Sequence, residues 1–291
     1  MMKKKKLWVT ALAVFAALSV YLAAEGYRCA RQLQEVYYEV PADIREDIRI
    51  VQLTDLHGRS CFGEDYCNLV TLIARQKPDL IMMTGDMLDK SDKNADAVCS
   101  LIKACAEIAP VYYGYGNHEI AWIQNNEETL EEQLTKAGAT VLNLAYCDLA
   151  VKGQQLRIGG YHGYYRQPHM FPVTPEQRDA EVDFAKEFEN TQRYKILLSH
   201  IPTAWIDWEY LDKYPADLVL CGHYHGGQIK LPFLGGLYAP YIGLFPKHTE
   251  GMYEGSMATV ILSAGLGTGP GLPRLNNPAQ MVIVDLIAQS Q

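Results

Sequence analysis

Asp55, His57, Asp86, Asn117, His118, His200, His223 and His225 are the side chains of this sequence best suited to metal chemistry, and they hold five of its eight histidines. They occur in short clusters: Asp55-Leu56-His57, Gly85-Asp86, Gly116-Asn117-His118-Glu119, Ser199-His200 and Gly222-His223-Tyr224-His225. Carboxylate, carboxamide oxygen and imidazole together suit borderline and hard divalent ions such as Mn²⁺, Fe²⁺ and Zn²⁺. Cys221 is the one thiol beside them, so a cysteine-rich structural zinc site is disfavoured. Taken singly the clusters are commonplace, since Gly-Asp is often a turn and Asn-His often opens a helix. The most specific is Gly222-His223-Tyr224-His225, whose two imidazoles can reach two adjacent ions or two sides of one.

Such side chains must be brought together by the elements they terminate. Ile48–Leu53 reads as a strand ending at Thr54-Asp55, and Asp79–Met83 as one ending at Thr84-Gly85-Asp86. Val111–Tyr115 runs into Gly116-Asn117, Tyr194–Ser199 into His200, and Asp217–Leu220 into the Gly-His-Tyr-His cluster. Thr140–Leu144, Leu149–Lys152 and Leu156–Gly160 read as further strands. Helical spacing covers Asp65–Gln76, Ala95–Ile108, Glu127–Ala137 with Gly138 as its cap, and Pro175–Phe188. In open α/β sheets, sites collect beyond the carboxyl ends of strands, where loops converge. No repeat and no linker divides the chain, so residues 47–291 read as one catalytic domain and 25–46 as a polar stem.

Bulk properties narrow the partners. The chain has 291 residues and a net charge of −8, more acidic still without the lysines at 3–6. A surface of that sign repels nucleic-acid backbones, which excludes an electrostatic DNA or RNA binder. A bound phosphate therefore needs local positive charge, which metal ions supply. Lys3–Lys6, a basic cytoplasmic tip, precedes an uncharged run at residues 7–24. As a helix that run spans about 27 Å, near the roughly 30 Å of bilayer hydrocarbon. A retained anchor and a cleaved signal both remain open, and both leave the lysines cytoplasmic and the rest of the chain outside. Seven cysteines without a CxxC pair read as tolerated thiols, with a Cys61–Cys67 bridge as an alternative.

In order, these motifs resemble the calcineurin-like metallophosphoesterase superfamily, over roughly Ile48 to Leu286. Gly226-Gly227-Gln228-Ile229, the apolar Leu231–Leu237 stretch and Gly265-Leu266-Gly267-Thr268-Gly269 are similar to its membrane-associated branch of YkuE-type phosphoesterases and UDP-2,3-diacylglucosamine pyrophosphatases. The resemblance implies an α/β fold, a four-layer α/β/β/α sandwich of two mixed sheets with a dinuclear metal site at one edge, here preceded by one transmembrane helix. It implies that Asp55, His57 and His225 hold one ion, that Asn117, His200 and His223 hold the other, and that Asp86 bridges them. A hydroxide between the ions would then attack a phosphoester or diphosphate bond. His118 would protonate the leaving oxygen or stabilise charge, with Glu119 orienting it.

His162, His169 and His248 read as surface or supporting residues. Arg274 reads as a surface arginine, or as one reaching a substrate phosphate. Leu231–Phe245 reads either as a loop over the core or as an apolar rim beside the site that touches lipid. The rim, with the anchor, points to a lipid-linked or envelope-related substrate. A protein or small-molecule phosphomonoesterase and a metal-dependent binding module are the alternatives.

Overall fold

The computed structural model describes residues 2–58, 62–126, 129–161, 174–269 and 272–289. One six-stranded sheet has the order β1 (Leu33–Ala42), β16 (Ala279–Ala288), β2 (Ile48–Leu53), β3 (Leu80–Met83), β4 (Val111–Gly114), β5 (Ala139–Leu142). The other has the order β14 (Gly251–Glu254), β15 (Thr259–Leu262), β9 (Leu218–Cys221), β8 (Tyr194–Leu198), β7 (Gln154–Gly160), β6 (Ala145–Val151). In the first, β2 to β5 run parallel and β16 runs against β2; in the second, β7, β8, β9 and β15 run parallel. Both sheets are mixed. Two short hairpins, β10 (Lys230–Leu231) with β11 (Gly235–Gly236) and β12 (Tyr238–Ala239) with β13 (Gly243–Leu244), follow β9.

Period-two alternation sorts the side chains into layers. On the first sheet, Ile50, Leu80 and Met82 face the second sheet, where they meet Ile158, Ile196, Leu198, Leu218 and Leu220. Val51, Leu53, Ile81 and Met83 face the other way, against Leu69 and Ile73 of helix α2 (Cys67–Gln76), Leu101 and Ile102 of α3 (Asp96–Ala106) and Leu134 of α5 (Leu130–Ala137). Leu197, Val219 and Val260 leave the second sheet outward, towards Phe184 and Phe188 of α6 (Pro175–Glu189) and Trp205 of α7 (Thr203–Ile206). These layers are the expected α/β/β/α sandwich. Because both faces of the central strands are covered, those strands read as unbroken apolar runs. A polar tie between the sheets is made by Gln52, which donates to Thr84 Oγ1 on its own side and to Cys221 O on the other.

Several elements differ from the reading above. The supposed stem is helix α1 (Met2–Arg31) to its end and then β1, paired in parallel with β16 from Leu33↔Ala279 to Ala42↔Ala288. Val40 and Ala42 are buried in the core between the sheets, so this segment belongs to the fold. Leu149–Lys152 is the end of a longer strand, and β14 to β16 were not anticipated. Gly138 ends α5 in the left-handed conformation, φ 113°, as its cap position requires. Within α1, Trp8–Cys29 is long and apolar enough to cross a membrane, with mean hydropathy 1.7.

Arg274 is not at the surface. It is 1% exposed, and its guanidinium donates to the carbonyls of Gly267, Ala264 and Gly265, which fixes the glycine-rich turn after β15. His248 lies apart from the Asp/His cluster, 3.3 Å from Asp207 and edge-on to Tyr253. His162, His169 and Cys61, and with Cys61 the Cys61–Cys67 alternative, lie outside the described residues; Cys67 is exposed.

Candidate metal centre

The parallel strands β2, β3 and β4 deliver Asp55, Asp86 and Asn117 to one edge, with Leu53 level with Met83 and Met83 level with Tyr113. Strands β8 and β9 deliver His200, His223 and His225 to the same edge of the facing sheet, with Leu198 level with Leu220. The backbone bends sharply there. Asp55 (φ 55°), His57 (φ 51°), Asp86 (φ 51°), His223 (φ 74°) and His225 (φ 49°) all take left-handed conformations, unusual for residues with a Cβ. Each costs on the order of 1 kcal/mol, and such strain collects where side-chain placement matters more than local comfort. Gly222 permits the close approach of the two sheets, since a Cβ there would overlap Thr54 Oγ1 and the Asp55 carboxylate.

The side chains converge. Asp55 Oδ1 lies 4.0 Å from His57 Nε2, 3.5 Å from His225 Nε2 and 3.9 Å from His200 Nε2. Asp86 Oδ2 lies 3.1 Å from His200 Nε2 and 4.0 Å from His118 Nε2. His200 and His223 meet with Nε2 and Nδ1 3.2 Å apart. Three sets bring their ligand atoms within 4.8 Å of one another: Asp55, His57 and His225; His57, Asp86 and His118; Asp86, His200 and His223. Asn117, in the first turn of helix α4 (Asn117–Asn125), completes the predicted group.

The donor set fits divalent cations on this structure's own terms. His57 Nε2, His223 Nε2, His225 Nδ1 and Asn117 Oδ1 are buried and make no hydrogen bond. Leaving such groups unpaired costs about 1–3 kcal/mol each, a cost that coordination removes. Electrostatics prepares them. Burial, reinforced by repulsion from His200, holds His223 well below the ordinary histidine range; burial and then His57 do the same to His225. Both are thus neutral, the form that binds metal. Burial opposes charge on His200, but the Asp86 and Asp55 carboxylates outweigh it and raise the imidazole to about 10. Against its burial, His200 in turn holds Asp86 well below the carboxylate range. The His200 Nδ1–H donates to Thr84 O at 2.8 Å, which turns Nε2 into the cluster.

Supporting residues were only partly legible. Glu119 does not orient the His118 ring. Its buried carboxylate accepts the backbone N–H groups of Asp86, Met87, Leu88 and Gly116, at 2.8–3.1 Å, and the Tyr113 hydroxyl at 2.7 Å. The Gly-Asn-His-Glu spacing carries that signal, because Glu at the third helical position commonly returns to the residue that caps the helix. Asp89 was missed. Its Oδ2 lies 3.2 Å from His118 Nδ1 and 3.6 Å from His57 Nδ1, a negative charge beside both rings, and only its position three residues after Asp86 pointed to it. The Lys90 N–H also reaches His118 Nδ1, at 3.2 Å, so Nδ1 is fixed from the protein side and Nε2 faces the cluster. Tyr241 was missed as well: it stacks on His223 at 5.1 Å between centroids with 12° between planes.

The profile of the calcineurin-like phosphoesterase family matches residues 48–227, from the start of β2 to the end of the Gly-His-Tyr-His turn. An uncharacterised metallophosphoesterase of Campylobacter jejuni is 28% identical over 281 residues, covering 94% of this chain and 68% of its own length. The uncharacterised metallophosphoesterase YkuE of Bacillus subtilis is 30% identical over 226 residues, 76% of this chain and 73% of its own. The phosphodiesterase YaeI of Escherichia coli is 28% identical over 241 residues, 82% of each chain.

Proposed function

Because this chain belongs to the calcineurin-like phosphoesterase family, and is thereby a metal-dependent hydrolase, we propose that it cleaves a phosphoester or diphosphate bond in a lipid-linked or envelope-related substrate. The observation that carries the reading is the convergence of seven buried or nearly buried Asp and His side chains on one sheet edge. Asp55, His57 and His225 would hold one divalent ion, Asn117, His200 and His223 a second, with Asp86 within reach of both groups. Bound there, the ions acidify water and neutralise charge on the phosphoryl oxygens. Of the chain's own groups, His118 gives its Nε2 proton to the leaving oxygen, while the Lys90 amide donates to Nδ1. Tyr241 keeps the His223 face dry and flanks the entering phosphate.

Two features of the surroundings support the substrate class. Helix α1 is a membrane-crossing candidate at one side of the domain, and the hairpins that begin at Lys230, shortly after His225, expose apolar side chains. With Lys3–Lys6 cytoplasmic, the metal centre would stand on the opposite face of the membrane. The test uses the full chain in detergent micelles with Mn²⁺, on bis-p-nitrophenyl phosphate and p-nitrophenyl phosphate, then on lipid phosphodiesters and diphosphates. Metal-dependent turnover that chelation abolishes and that is fastest on the lipid compounds is expected. Turnover of soluble nucleotides alone would overturn the substrate class and leave the hydrolase intact.

Metal loading has its own signature. His200, raised to about 10 without a cation, is protonated at neutral pH, and a cation requires it neutral. Adding Mn²⁺ to chelator-stripped protein at pH 7 is therefore expected to release about one proton from this residue. Apparent affinity should rise with pH until about 10. Acidification of a weakly buffered sample reads the proton, and affinities equal at acidic and alkaline pH would contradict the assignment.

A further inference from the structure

Outside α1, large exposed apolar side chains gather in one place. Phe233, Leu234, Tyr241, Ile242, Leu244 and Phe245 all sit on the two hairpins after β9, with Phe233 fully exposed. Elsewhere, among the described residues beyond α1, only Tyr37, Ile123 and Met257 are comparable, and they are scattered. The sequence from Leu231 to Pro246 carries no charge and is flanked by Lys230 and Lys247. An apolar patch of that kind, rimmed by charge, marks a surface that is covered in the working state.

The cover is indicated by what the hairpins are fastened to. Between Lys6 and Glu25 α1 has no charged residue, so Glu25 marks where the helix leaves an apolar environment. The Glu25 carboxylate accepts the Asn276 N–H at 3.1 Å, and Cys29 Sγ accepts the Asn277 N–H at 3.4 Å. Asn276 Nδ2 donates to Lys230 O at 3.1 Å, and the Lys230 N–H donates to Leu275 O at 2.9 Å. Lys230 is the first residue of β10. The polar end of α1 is thus stapled through one loop to the strand that leads, three residues on, to Phe233. That distance is about 10 Å of extended chain.

We propose that these two hairpins dip into the same bilayer leaflet from which α1 emerges, so that the Asp/His cluster stands at the level of the lipid headgroups. The flanking lysines then lie at the headgroups and the aromatic rings just beneath, the arrangement of interfacial segments. Tyr241, stacked on His223, joins this buried rim directly to the cluster. The inference rests on α1 being embedded in a bilayer; it does not depend on which phosphoester is cleaved.

The test places the full chain in phosphatidylethanolamine–phosphatidylglycerol vesicles, with and without brominated acyl chains. Trp8, within α1, read as the difference between the native chain and a Trp8→Phe chain because Trp122, Trp205 and Trp208 also emit, reports whether the helix is embedded. A tryptophan introduced by Phe233→Trp reports the rim, and one introduced by Met257→Trp, at the opposite edge of the second sheet, serves as control. Bromolipid is expected to quench Trp8 and at least half of the added emission at 233, while sparing that at 257. Quenched Trp8 with an unquenched residue 233 would overturn the docking and leave the anchor standing. An unquenched Trp8 would remove the premise itself. If the rim is unquenched and cross-linked dimers disappear in a Phe233→Ser, Leu244→Ser chain, the surface belongs to a second copy of the chain and the proposal falls.

Discussion

Asparagine in place of Asp86 is expected to lower turnover of bis-p-nitrophenyl phosphate by on the order of 10³-fold, comparable to removing a principal stabiliser of transition-state charge. Asp86 belongs to two of the three sets of converging ligand atoms, and its Oδ2 stands 3.1 Å from His200 Nε2. The substitution keeps the size of the side chain and leaves Oδ1 able to accept the His118 N–H, at 2.8 Å in the native chain. It removes a negative charge that lies within reach of two of the histidine groups. The melting temperature should hold while bound metal, measured by elemental analysis, falls from two ions towards one. Native turnover in Asp86→Asn would defeat the two-ion reading, because a carboxamide is a poor bridge between cations.

Glu119→Gln is the second large effect, and it acts through the backbone. Glu119 is 0% exposed and holds four consecutive or neighbouring amides together with the Tyr113 hydroxyl. A carboxamide turns one acceptor oxygen into a donor that faces donors. Losing charge-assisted bonds and opposing the remaining N–H groups should cost about 3 kcal/mol or more. For a domain of this size that is a fall of roughly 10 °C in melting temperature. Because the amides of Asp86 and Gly116 are among those held, displacement of about 1 Å in the loop should also cost about 10²-fold in turnover. Tyr113→Phe removes one donor and leaves the carboxylate, so it should cost only about 1 kcal/mol. Equal melting temperatures for Glu119→Gln and the native chain would show that these bonds do not support the loop.

The two effects separate what a linear reading can reach from what it cannot. β2, β3, β4, β8 and β9 were legible because both faces of each are covered, leaving apolar runs that stop at polar clusters. β1 was not. It lies at a sheet edge with Leu33, Val36 and Tyr38 only half buried between charged neighbours, so its average polarity is that of a linker. Its partner β16 lies more than 200 residues away, and nothing local announces such a pairing. Arg274 misled for a related reason: an arginine after a glycine-rich turn has the composition of a surface loop, and its burial depends on carbonyls that only the folded turn presents. The Leu231–Phe245 segment left two readings open by composition. Its hairpins turn their largest side chains outward, away from the core.

By itself the sequence determined the chemistry available to this protein: which side chains can take divalent ions, that they stand at strand ends, and that an apolar helix precedes them. Those properties reside in residue type and short spacing, which a chain carries whether folded or not. The tertiary structure decided how the two sheets face each other. That registry brings His200 of one strand within 3.1 Å of Asp86 from the opposite sheet and sets His200 against His223. It decided also that Glu119 serves the Asp86 loop and that the Asp89 carboxylate lies beside two imidazole rings. Distances and protonation depend on burial and on neighbours distant in sequence, and these exist only once the layers have packed.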